Sequence, residues 1–112
     1  MQNKFIKNID FGAALEFATL VDYRPGQVVS RTFVQNESMS LTLFAFAAGQ
    51  GLSTHSAPGD ALVYILDGQA EVTIGGQKQT VVSGQSIVMP ANIPHGLEAR
   101  EPFKMLLIVV FK

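Results

Sequence analysis

The feature that most restricts this chain is the period of its hydrophobicity, which is mostly two residues and not 3.6. In Ala70-Glu71-Val72-Thr73-Ile74 apolar and polar residues alternate strictly, as on a strand with one face in a core and one in water. Gly75-Gly76 comes next, and two successive glycines supply the positive backbone angles of a tight hairpin turn. Gln77 to Val82 then reads as the returning strand. The same grammar recurs in Gln27–Val34 and Ser40–Ala47, separated by the polar turn 35–38, and in Leu62–Leu66, which stops at Asp67-Gly68. It recurs again in Ile87–Met89 after Ser83-Gly84-Gln85, and in Phe103–Phe111. Pro90 and Pro94 bracket a loop, because each lacks a backbone donor and restricts the residue before it. Residues 12–20 fit a helical turn or two by their Ala, Leu and Glu. The alternation of Leu15, Phe17 and Thr19 fits a strand equally well. Short strands punctuated at intervals of roughly ten residues predict an all-β sandwich or barrel.

The chain's 112 residues are enough for one domain with a modest core. With 47% hydrophobic and 15% charged residues, a disordered chain is excluded. A net charge of −1 without any Lys/Arg cluster leaves no footprint for tracking phosphates, so nucleic acid is not an expected partner. There is no cysteine, which removes disulfides, thiolate metal sites and a cysteine nucleophile. The opening MQNKFIKNIDFG lacks the apolar core of a signal peptide. Met105 to Phe111, the longest apolar run, is too short to span a bilayer as a helix. A cytoplasmic protein without membrane attachment is expected.

Some strands are apolar on both faces. In Ser40-Leu41-Thr42-Leu43-Phe44-Ala45-Phe46-Ala47, Leu41 and Leu43 point one way while Phe44 and Phe46 point the other, and Met105–Phe111 has no polar face. A two-layer structure has one interior, so the second apolar faces need a cover. Residues 1–25, as an arm or extra strand, can cover one. A homodimer that buries the outer face of one sheet is expected to cover the rest.

Two segments then stand out together. Gly51-Leu52-Ser53-Thr54-His55 leads through Pro58 to Gly68, and Gly84-Gln85-Ser86-Ile87-Val88-Met89-Pro90 leads to His95. Over about residues 51–99 this resembles the cupin family, small jelly-roll barrels (double-stranded β-helices) with two short motifs. The second motif is matched at Gly84, Pro90 and His95. Asn92 stands where the family often has a glycine, a tolerable exchange because asparagine accepts left-handed backbone angles. The first motif keeps His55 and Gly68. The resemblance implies a jelly-roll fold, with 1–112 as a single domain. It leaves the chemistry open, because cupins include dioxygenases, decarboxylases, isomerases, epimerases and binding domains.

The resemblance also implies a metal held at the places of His55, Ala57, Ala61 and His95, and two of these four are alanine. Two imidazoles alone make a weak site for Fe, Mn, Ni or Zn, and a carboxylate from a substrate would have to complete the shell. Without metal, a histidine pair can serve as general acid and base. The carboxylate helper that some cupin-like epimerases use would have to be Asp60 or Glu98, and alternation sends both to the other face. By the same alternation Ala57, Ala61, Val63, Ile65 and Met89 line the pocket, with Leu43, Ala45 and Leu97 from other strands. Phe44, Phe46, Tyr64 and Leu66 point away. The expected function is binding of a small molecule around His55 and His95, with or without catalysis. The alternative is a metal-free sensor, and a metal-dependent dioxygenase or isomerase ranks below both.

Overall fold

The computed structural model describes residues 4–112. Its strands follow the alternating segments: β1 (Val28–Gln35), β2 (Met39–Phe46), β3 (Gly51–His55), β4 (Asp60–Asp67), β5 (Gln69–Ile74), β6 (Gln77–Val82), β7 (Ser86–Met89), β8 (His95–Glu98) and β9 (Phe103–Val110). They form two antiparallel sheets, one in the order β1-β2-β9-β4-β7 and one in the order β3-β8-β5-β6. Non-consecutive neighbours such as β2-β9-β4 and β3-β8-β5 are the crossovers of a jelly roll. The β5–β6 hairpin turns at Gly75 and Gly76, with φ of 56° and 83°, as the two glycines require. Residues 12–20 contain only a single 3-10 turn, Phe17–Thr19. Among the described residues no helix is long and apolar enough to cross a membrane.

Between the sheets, Ala61, Val63 and Ile65 of β4 face Ala70 and Val72 of β5, joined by Phe46, Leu97, Phe103 and Met105. The rings of Phe46 and Phe103 stack with centroids 4.6 Å apart. Each such side chain, fully buried, contributes about 1.5–3 kcal/mol relative to exposure.

The phase of β2 is the reverse of the expected one. Phe44 pairs with Met105 and Phe46 with Phe103, so the two phenylalanines face the interior. Leu43 and Ala45 face outward and pack with Phe33 and Val21. A strand apolar on both faces carries no signal for its own phase, and the large rings occupy the side with the deeper space. What covers Leu43 and Ala45 is the N-terminal arm: Ile9, Phe17, Leu20 and Tyr23 pack on the same cluster. Residues 1–3 of the expected arm lie outside the described residues. Lys7 donates its backbone N–H to Phe33 O at 2.8 Å. The Tyr23 hydroxyl donates to Asp67 Oδ2 at 2.5 Å, tying the arm to the end of β4. Burial, and then the adjacent Asp67 carboxylate, push the Tyr23 hydroxyl above the ordinary tyrosine range.

Candidate functional site

The two histidines lie on two short strands of the second sheet, β3 and β8. Neither segment reads as a strand in the sequence, because β3 is mostly exposed and β8 has only four residues. The ladder between them pairs Leu52 with Leu97, then becomes irregular, and resumes with His55 opposite His95. The imidazole centroids are 4.6 Å apart and the rings meet edge to face at 68°. His95 is 3% exposed, whereas His55 lies open at the barrel end.

Each ring is held by its own backbone. His55 Nδ1 lies 2.8 Å from Ser53 O and His95 Nδ1 lies 3.1 Å from Ile93 O. A carbonyl can only accept, so Nδ1–H is the donor in both, which leaves Nε2 as the other ring nitrogen, an acceptor whenever it carries no proton. The loop before His95 is tethered on three sides. Ala91 N–H donates to Asp60 Oδ1 at 2.8 Å, Asn92 N–H to Ala57 O at 2.7 Å, and Pro94 O accepts from Gly75 N–H at 2.9 Å. Asn92 has φ of 64°, the left-handed geometry for which glycine or asparagine is suited. The loops that flank the two histidines are therefore bound to each other.

Asp60 pairs with Val110 in the ladder and spends its carboxylate on the Ala91 N–H. Glu98 lies across from Gly51 and Glu71 on the outer face. Glu71 is paired there with Arg100 at 3.1 Å. Neither acid serves as partner to an imidazole. Ala61, Val63 and Met89 lie on the inner face within the closed core, with Ala61 opposite Met89. Ala57 sits in the loop, half-buried, and contributes its carbonyl. Tyr64 and Leu66 face outward as expected, the first exposed and the second under the arm.

Sequence reasoning missed a row of hydroxyls on the inner face of β1 and β2. Ser40 pairs with Val109 and Thr42 with Leu107, both partners packed against the core. Thr32 pairs with Thr42, and their hydroxyls are 3.3 Å apart. The alternation of Ser40 and Thr42 with Leu41 and Leu43 carried that signal. Phe44, Leu52, Leu107 and Val109 are only half-buried, so the interior thins toward the histidines. A hollow of about 670 Å³ lies instead along segments 49–54 and 96–100, lined by neither histidine. Its polar lining is Gln50, Ser53, Thr54, Thr73, Glu98 and Arg100, whereas the imidazole pair brings the two motif histidines together.

The comparisons with known proteins now bear on this geometry. The family model described as Cupin domain matches residues 42–111. The chain is a cupin. A solved structure of a conserved protein of unknown function from Streptococcus pyogenes is 44% identical, with a TM-score of 0.96 over 98% of this chain and 96% of that one. A cupin superfamily protein from Desulfitobacterium hafniense is 33% identical, with a TM-score of 0.90 over 96% and 98%. A cupin 2 conserved barrel domain protein from Leptotrichia buccalis is 45% identical, with a TM-score of 0.81 over 83% of this chain and 45% of that one. A search of curated proteins found no match.

The metal that cupins often hold does not fit the residues of this cupin as a tightly resident ion. No group of three or more His, Asp or Glu side chains able to hold one occurs among the described residues. Two of the four family positions present methyl groups.

Proposed function

We propose that this cupin binds a small molecule at the open end of its barrel. The Nε2 atoms of His55 and His95 accept hydrogen bonds from the ligand's polar group, and half-buried Leu52, Phe44 and Val109 take its apolar body. The observation that carries this reading is the pair itself: two imidazoles from distant motifs, 4.6 Å apart, with both Nδ1 atoms spent on carbonyls. Two free acceptors in one place favour a ligand that offers a hydroxyl or amide donor. No catalytic step is required by this reading.

The test is a ligand-observed NMR screen of small hydroxylated and amide-bearing compounds, repeated on His55→Ala and His95→Ala. Loss of binding in either variant is expected, with the fold retained. Hits that bind both variants as well as the wild type would overturn the proposal.

A second reading has a specific support. Metal-bound histidines characteristically donate their other ring N–H to a carbonyl or carboxylate, as both rings do here. In that reading a divalent ion (Fe, Mn, Ni or Zn) binds weakly and is shared with a ligand carboxylate. Elemental analysis of protein purified without a nickel column should then find little metal until a hit is added. Stoichiometric metal in ligand-free protein would count against both readings.

The homodimer is likewise a proposal: a second copy covers the part of the outer face left bare by the arm. Tyr64, Val88 and Val110 are 37%, 51% and 50% exposed there, and a net charge of −1 offers little repulsion between copies.

A further inference from the structure

We infer that a one-residue bulge in β3, seated on the bare backbone of Gly96, is the device that turns His55 toward the interior of the barrel. Leu52 lies opposite Leu97, and the next registered pair is His55 with His95. β3 therefore takes three steps where β8 takes two. On a regular strand, side chains alternate, so a residue three steps from Leu52 points to the opposite face. Leu52 packs against the core, and an unbroken ladder would leave His55 in solvent on the far side of the sheet. The bulge sets Ser53 and Thr54 together against Gly96 and resets the parity. That reset is what brings the two ring centroids to 4.6 Å.

The space for the bulge comes from a missing side chain. A Cβ at position 96 would stand 3.0 Å from Leu52 O, 3.3 Å from Thr54 N and 3.3 Å from Thr54 Oγ1. All three atoms belong to the bulged segment, and two of them are backbone that cannot rotate away. Gly96 does not adopt a positive φ, so its backbone angles do not call for glycine. Room for β3 does. The bulge also provides the Ser53 carbonyl that takes His55 Nδ1–H, so one irregularity sets both the direction and the tautomer of the ring. Gly96 is a positioning residue for the pair.

This inference rests on the reading that the pair forms the ligand end, but its test needs no ligand. In the wild type, cross-relaxation between the ring protons of His55 and His95 is expected in the NMR spectrum. Gly96→Ala should abolish it while the resonances of β4, β5 and β9 stay in place. Thr54→Ala, which keeps the register, should retain it. Deleting Thr54 removes the extra residue, so His55 stands two steps from Leu52 on the same face and should still cross-relax with His95, now from a regular ladder. Because the glycine is needed only under the bulge, Gly96→Ala should be better tolerated in the Thr54-deleted chain than in the full one.

Retained cross-relaxation in a folded Gly96→Ala protein would overturn the inference. If Gly96→Ala fails to fold, the double variant decides. A recovered fold in which the two imidazoles cross-relax upholds the inference, and failure to recover sinks it. Ligand binding that fails while the two rings stay together tells against the proposed function, not against the bulge.

Discussion

The barrel has a filled end and a thin end, and they are built on different rules. At the filled end Phe46, Ile65, Ala70, Ala99 and Phe103 are almost wholly buried. Alternation places these side chains, and the irregularity of the β4–β9 ladder falls beyond them, between Ile65 and Asp67. At the other end the interior is bounded by His55 and His95, a bulge, a tethered loop and half-buried Val109 and Leu107. The filled end holds the protein together, and the thin end gives up packing for polar groups that converge. Stability belongs to the first, and the proposed recognition to the second.

The sharpest way to break that division is Phe103→Ala. It removes a ring that is 0% exposed and stacked on Phe46, at a cost of about 3–5 kcal/mol. Chemical denaturation should show most of the stability gone. Leu107→Ala at the thin end should cost about 2 kcal/mol or less, the low end for such truncations, in the same assay. Equal losses at both sites would erase the distinction.

A smaller effect is expected from Asp60→Ala, which removes the acceptor for the Ala91 N–H. Losing a hydrogen bond of this kind costs about 1 kcal/mol. The loop carrying His95 should loosen, read as faster amide exchange at Ala91 and Asn92 without change at Val72. Tyr23→Phe tests the arm. The folded-state pKa of Tyr23 is raised, so the neutral phenol is favoured in the fold. That contribution is fully present below the unfolded value near 10 and is lost as pH rises through the folded value. Wild-type stability should therefore fall more steeply than that of Tyr23→Phe as pH rises above about 10. A parallel fall in both proteins would remove Tyr23 from the account.

The smallest effect on stability, within about 0.5 kcal/mol, is expected from Val88→Lys. It should nonetheless convert a dimer to a monomer in gel filtration with light scattering. A wild type that is already monomeric at micromolar concentration would end the dimer proposal.

Most of the filled end was legible in the sequence. Ala70–Ile74, the Gly75-Gly76 turn and the strand from Phe103 are patterned as they fold. Asn92 takes the positive φ expected of it, and the two motif histidines meet. Three things were hidden. The phase of β2 was hidden because Leu43 and Phe44 are equally apolar, and only the partner strand breaks the tie. β3 was hidden because Ser53, Thr54 and His55 are exposed and irregular, so no period survives. The irregularity also defeats counting: a rule of strict alternation carried from Leu52 assigns His55 to the wrong face. The hydroxyls of Thr32, Ser40 and Thr42 were visible, but beside so many leucines they read as gaps in an apolar strand.

The three hydrogen bonds on the Pro90–Pro94 segment have a kinetic consequence. A turn pinned at Ala91, Asn92 and Pro94 has little freedom left to swing aside, so it makes a doorpost and not a door. At the proposed binding site this fixed turn forms one wall beside His95. A partner arriving there finds His95 already set, and little ordering of that wall remains to slow its capture or weaken its hold.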